Sequence, residues 1–181
     1  WISPLKTSPY AFYQFWLNVA DLDVYRYLKY FTFLAPEEIH EIEKCDQESQ
    51  AKPEAQRVLA AEVTELLHGR EGLIAAKRIS EGLFSGDISK FTTQDLAQLE
   101  LDGLPCSHLK GVSIDIVEAL VVTELAKSRK MAREFIGNNA VSVNGLLVQS
   151  VDFNLTVNNA LNGKYFVIKR GKKLFHLVKL I

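Results

Sequence analysis

Seven cations in two tight groups carry the clearest chemistry of the chain: Arg129, Lys130 and Arg133 in one, Lys169, Arg170, Lys172 and Lys173 in the other. Guanidinium and ammonium groups neutralise phosphates and displace the counterions condensed on a nucleic acid, so two such groups brought together would hold a phosphate backbone. The rest of the chain sharpens the contrast. Residues 1–120 carry 11 Lys+Arg against 19 Asp+Glu, a balance of −8, and residues 121–181 carry 10 against 3, a balance of +7; the total of −1 hides this break. A positive region attracts polyanions and an acidic one repels them, which makes nucleic acid the leading partner. Other chemistries lack their residues. Cys45 and Cys106 stand far apart with no CxxC spacing, and His40, His68, His108 and His176 fall in no catalytic arrangement. There is no glycine-rich phosphate loop, so no catalytic and no metal-ligating residue is assigned.

Local patterns indicate which elements position the cations. Ser128 reads as the N-cap of a short helix in which Met131, Ala132, Phe135 and Ile136 face inward, while Arg129 and Arg133 share an outer face with Lys130 beside them. Val141-Ser142-Val143, Asn144-Gly145 and Leu146-Leu147-Val148 predict a hairpin, because a type I′ turn needs positive φ at both central residues. Residues 165–168 and 174–180 are β-prone runs around the second basic group. Four cations crowded at one turn repel one another unless a partner relieves them. A further helix is predicted over 113–125, with Ile114, Val117, Leu120 and Val121 on one face, and 103–111 reads as loop. A short helix and a small hairpin suit RNA better than duplex DNA, which calls for a long recognition helix.

The N-terminal part is helical throughout. Ser8 and Pro9 start a helix through the aromatic run Tyr10, Phe12, Tyr13, Phe15, Trp16, and a second follows through Val24, Tyr27, Leu28, Phe31 and Leu34, with 21–23 as the separator. Pro36 opens a third, closed by the polar segment 46–52. A longer helix starts near Pro53 and runs to Phe84, kinked or divided at Gly69 or Gly72. Thr92 or Thr93 caps another. The fold expected is therefore multi-domain, α followed by α+β: a helical domain over 1–112, then a small domain over 113–181 with two helices and a small antiparallel sheet. No run of about 18 uncharged apolar residues and no signal-peptide pattern occurs, so a cytoplasmic location without membrane contact is expected. The chain opens at Trp1 and its one methionine is Met131, which reads as a piece of a longer protein.

Specific strings extend this reading. SRKMAREFIGNNAVSVNG, residues 128–145, resembles the alpha-L RNA-binding domain named after ribosomal small-subunit protein four, at Ser128, Arg129, Ala132, Arg133, Ile136, Val141, Val143, Asn144 and Gly145. Residues 1–34, LLHGREGLIAAKRISEGLFSGDI at 66–88 and GKYFVIKRGKKLFHL at 163–177 are similar, in the same order, to the C-terminal part of bacterial-type tyrosyl-tRNA synthetases. This resemblance implies a helical anticodon-binding domain and an alpha-L domain that bind tyrosine tRNA. Tyrosylation, with ATP and magnesium, would be carried out by an N-terminal Rossmann catalytic domain absent here. The parent would be a homodimer and this fragment an inactive monomer. Arg129, Lys130, Arg133, Lys169, Arg170, Lys172 and Lys173 are the expected RNA contacts, and Asp21 and Asp152 are candidates for the acidic residues that read anticodon bases. Ser128 is read as a cap, and Asn144 and Gly145 as turn residues. The alternative is a stand-alone RNA-binding or ribosome-associated protein with an alpha-L domain.

Overall fold

The computed structural model describes residues 3, 6–48, 54–111 and 113–181. The chain forms two compact units, Trp1–Ser80 and Glu81–Ile181. The expected boundary at 112/113 falls within the second unit. Trp1, the helix start at Pro53 and residues 49–52 of the polar segment lie outside the described residues.

In the first unit, Ser8 caps α1 (Pro9–Leu17), its side chain accepting from the Ala11 N–H at 3.1 Å. The helix α2 (Asp21–Phe31) begins at Asp21, so 21–23 forms its first turn and not a separator; Asp21 and Asp23 there complement the positive end of the helix dipole. The third helix, α3 (Pro36–Glu48), extends through Asp46, further than the polar composition suggested. Asp46 has a structural use: its carboxylate accepts from the N–H groups of Glu54 and Ala55 at 2.6 and 3.1 Å, and from the Tyr25 hydroxyl at 3.0 Å. It thereby satisfies donors at the start of α4 (Ala55–Ser85) that a helix leaves without internal partners. Burial and this bond to Asp46 push the Tyr25 hydroxyl up to about 12. At Gly69 the backbone of α4 leaves helical geometry, with φ 71° and ψ 175°, a region open in practice to glycine alone, which decides between the two glycines the sequence offered. Phe12, Val24, Leu28, Ile39, Ala55, Leu59 and Val63 make the core of this unit.

The second unit is α+β. Thr92 and Asp95 form a reciprocal capping box on α5 (Thr93–Gln98), and a π-helical turn, Leu99–Gly103, follows. The strands are β1 (Cys106–Leu109), β2 (Ser113–Asp115), β3 (Val141–Val143), β4 (Leu146–Leu147), β5 (Asn154–Thr156), β6 (Tyr165–Arg170) and β7 (Leu174–Leu180), with α6 (Ile116–Val122) and α7 (Arg129–Gly137) between β2 and β3. The main sheet has the order β1-β7-β6-β3-β4, and β2 pairs with β5 apart from it. Three expectations change. The segment 103–111 contains β1, which runs parallel to β7 in the register Cys106↔Leu177, so the sheet is mixed and not purely antiparallel. The helix predicted from 113 starts at Ile116, because Asp115 is its N-cap, accepting from the Glu118 N–H at 2.9 Å. It ends at Val122, short of the predicted 125. Ile114 therefore belongs to a strand.

Helices α6 and α7 cover one face of the sheet through Ile116, Leu120, Ala132, Ile136, Phe166, Ile168 and Val178. Tyr165, Val167 and Leu177 are buried on the other face, where Glu100 of the π-turn forms a hub. Its carboxylate accepts from Tyr165 Oη at 2.6 Å, Lys179 Nζ at 2.7 Å and His108 Nε2 at 2.9 Å, tying together the turn, β1, β6 and β7. Burial raises the Glu100 carboxyl, but these bonds outweigh it and bring it to about 2 from an ordinary 4.5. A depressed carboxylate stabilises the fold fully above its unfolded value and loses that contribution as pH falls through the folded one. The stability advantage of the wild-type chain over Glu100→Gln should therefore be constant above pH 4.5 and shrink between 4.5 and 2. Urea midpoints measured at stepped pH check this, and parallel curves for the two chains would refute it.

Candidate nucleic-acid interface

The basic side chains start from two local devices. Ser128 caps α7, its hydroxyl accepting from the Met131 N–H at 3.2 Å, and Ala132 and Ile136 enter the core, so Arg129, Lys130 and Arg133 are left exposed. The β6–β7 turn places Gly171 at φ 62°, and its N–H donates to Ala140 O at 2.8 Å, which seats the turn beside the link from α7 to β3. The neighbouring hairpin tip has Asn144 at φ 51° and Gly145 at φ 82°. Asn144 also acts as a clamp: its side chain accepts from the Val167 N–H at 2.9 Å and donates to Asn159 O at 3.1 Å. A Cβ on Gly145 would come within 1.9 Å of Gly86 O, so the tip admits no side chain there.

The seven cations fall into four kinds. Arg170 is half-buried, donating from Nη1 to Leu125 O at 2.8 Å with its guanidinium 4.9 Å from the centre of the Phe135 ring, so it joins β6 to the α6–α7 link. The Lys169 ammonium lies over the Phe175 ring at 5.0 Å. Arg129 is ion-paired to Glu118, and together with Arg133 it lines a groove with Asp115, Val117, Val151, Asp152 and Asn154. Lys130, Lys172 and Lys173 are exposed and form no ion pair among the described residues. With about 100° between successive helical residues, Arg133 and Phe135 point to opposite flanks of α7. The groove arginines and Arg170 thus lie on different sides of that helix, with Lys130 on the crest between them.

Arg170's packing role escaped the sequence reading because Phe135 and Leu125 reach it only through the fold. Asp115 and Asn154 were also missed as groove residues, although Asp115 three positions before Glu118 is a helix-start signature that could have marked the first. Asp21, the other acidic candidate, accepts from Gln56 Nε2 at 2.7 Å in the first unit. His68 packs edge-on against Phe12, His40 lies exposed on α3, and His176 sits in β7 with Nε2 2.9 Å from Ser107 Oγ. Burial lowers the His176 imidazole. Among the described residues no three His, Cys, Asp or Glu side chains group to hold a metal ion, and no helix is long and apolar enough to cross a membrane.

Two families meet on this chain. Residues 1–85 match tRNA synthetases class I (W and Y), which defines the class, and residues 95–178 match the tyrosine–tRNA ligase SYY-like C-terminal domain. Among relatives, the tyrosine–tRNA ligase of Aliivibrio fischeri is 59% identical over 98% of this chain and 42% of its own length, and that of Laribacter hongkongensis is 53% identical with the same coverage. The chain belongs to the tyrosine–tRNA ligase family and corresponds to its C-terminal region. It spans about two fifths of the length of these relatives. Among solved structures, a tyrosyl-tRNA synthetase C-terminal domain in solution is 37% identical, covering 54% of this chain and 98% of that one with a TM-score of 0.44. The C-terminally truncated mitochondrial tyrosyl-tRNA synthetase of Aspergillus nidulans is 37% identical, with 46% and 25% covered and a TM-score of 0.43.

Proposed function

We propose that this chain is the tRNA-binding region of a tyrosine–tRNA ligase, and that it orients tyrosine tRNA for tyrosylation by a catalytic portion outside the chain. The observation that carries this reading is the coincidence of the matched C-terminal domain with the exposed cations Lys130, Lys172 and Lys173, in a segment with a +7 balance. Within that unit, residues 113–181 serve as the RNA-binding part, and the helical part contributes on the anticodon side. The catalytic portion uses ATP and magnesium, and the parent works as a cytoplasmic homodimer while this chain alone is monomeric. Phe15, Tyr30 and Phe33 are exposed on the helical unit, as a surface made to meet more protein would be.

The test is binding of the chain to tyrosine tRNA, an unrelated tRNA and a ribosomal RNA hairpin over a salt series. Tyrosine tRNA should bind tightest, and if about five phosphate contacts form, log K should fall against log salt with a slope of roughly −3.5 to −4.5. A preference for the ribosomal hairpin would instead favour a ribosome-associated protein, and equal binding to all three would reduce the chain to a general RNA clamp.

A further inference from the structure

The dipeptide Asn-Gly occurs at 144–145 and at 162–163, and both copies sit in the same kind of turn. Asn144 and Gly145 have φ 51° and 82°, and Asn162 and Gly163 have φ 49° and 71°, the positive pair of a type I′ turn. The second turn is closed by the Lys164 N–H, which donates to Leu161 O at 3.1 Å, and by Leu161 and Tyr165, which exchange backbone hydrogen bonds of 2.8 and 2.9 Å. An asparagine before glycine is chemically labile, because glycine has no Cβ to keep its nitrogen away from the preceding side-chain carbonyl carbon. In this turn the nitrogen reaches that carbon only when the backbone opens. The reaction therefore follows the free energy of local opening, which the surrounding contacts set.

Those contacts differ sharply between the two copies. Both atoms of the Asn144 amide are bound, Oδ1 by the Val167 N–H of β6, an interior strand of the sheet, and Nδ2 by Asn159 O. Gly145 is pressed so closely to Gly86 O that a Cβ would come within 1.9 Å of it. Asn162 is exposed and holds one side-chain bond, from Nδ2 to Thr93 Oγ1 at 3.1 Å, while its Oδ1 has no partner among the described residues. Around Gly163 a Cβ would meet nothing within 4 Å. The Gly163 N–H reaches only Ala160 O at 3.4 Å, beyond the usual range of such bonds.

We propose that Asn162 is a modification site, the position at which the folded chain deamidates, and that Asn144 is spared. The Gly163 nitrogen attacks Cγ of Asn162. The N–Cγ bond forms as the Cγ–Nδ2 bond breaks, and ammonia leaves with the proton of the Gly163 N–H. One water then opens the resulting five-membered imide at either carbonyl, giving aspartate or isoaspartate without oxidant or metal. Aspartate keeps the turn, its carboxylate accepting from the Thr93 hydroxyl in place of the amide. Isoaspartate inserts a methylene into the main chain of a loop whose length sets the pairing of Leu161 with Tyr165. Lys164 O accepts from the Leu180 N–H at 2.8 Å, and Tyr165 Oη donates to Glu100, so the displacement reaches the last strand and the Glu100 hub.

The experiment ages the whole chain at mildly alkaline pH, folded and in urea, then digests it. Mass spectrometry quantifies the two Asn-Gly peptides, and an isoaspartyl methyltransferase with a labelled methyl donor counts isoaspartate. In urea the two sites should react at similar rates. In the folded chain Asn162 should convert roughly tenfold faster than Asn144, which must break one more hydrogen bond and free a packed glycine. Asn162→Gln keeps the amide but closes a larger ring far more slowly, and it should remove the folded-state signal. Thr93→Ala releases the Asn162 side chain and should speed the reaction. The isoaspartate form, separated by ion exchange, should unfold at lower urea than Asn162→Asp. Equal rates at the two sites in the folded chain, or faster conversion of Asn144, overturn the proposal. Equal urea midpoints for the isoaspartate form and Asn162→Asp overturn the link to the last strand.

Discussion

In a full-length tyrosine–tRNA ligase carrying Lys130, Lys172 and Lys173 as alanines, tRNA tyrosylation at low tRNA concentration should fall about 100-fold while tyrosine-dependent ATP–pyrophosphate exchange keeps its rate. Each lost phosphate contact removes roughly 0.7–0.9 from the salt slope, and between 1 M and 0.1 M salt three contacts amount to about two powers of ten in affinity. These three lysines support no ion pair among the described residues and lie outside the core, so their loss leaves the fold intact. Activation needs only tyrosine and ATP, and a defect confined to the step that requires tRNA separates a positioning role from a chemical one. The defect should shrink as tRNA concentration rises. Equal loss of exchange activity would count against the proposed division of labour.

The second large effect is on stability. Phe166, the second residue of β6, is fully buried among the residues that α6 and α7 press against the sheet, and it is paired with Val178 across to β7. Phe166→Ala should cost about 3–5 kcal/mol, the transfer of the ring plus the cavity left in a packed interior. Domains of this size hold roughly 5–15 kcal/mol in total, so the substitution takes a large share. Urea unfolding monitored by circular dichroism should show a midpoint shift at unchanged slope, and a shift below about 1 kcal/mol would mean that the core around β6 is looser than its burial implies.

What could be read from the sequence was what is encoded locally. The Asn144-Gly145 turn, the Ser128 cap and the inward stripe of α7 each depend on residues within one or two turns of chain, and each is present as expected. The strands β1, β2 and β5 were not legible. They are three or four residues long, too short for a period to register, and their partners lie far away in sequence: Cys106 with Leu177, Ile114 with Leu155. The candidate interface divides along the same line. Its cations were visible as residue types, and α7 correctly left Arg129 and Arg133 on an outer surface. Which cations are engaged was not visible, because Arg170 is claimed by Phe135 and Leu125, and Arg129 by Glu118, through contacts that exist only after folding. Asp46 shows the same limit in the helical unit, where a residue whose polarity suggested a loop instead caps the next helix.

The parallel pairing of β1 with β7 has a consequence for the birth of the molecule. During synthesis β1 is made early in its unit and has no partner until residues 174–180 have left the ribosome, while α6, α7 and the β3–β4 hairpin can already form. Pairing of such high sequence separation is slow, and an unpaired strand edge is a template for association with other chains. The second unit should therefore reach its finished state late, with the exposed edge of β1 protected only when the nascent chain has delivered its last strand.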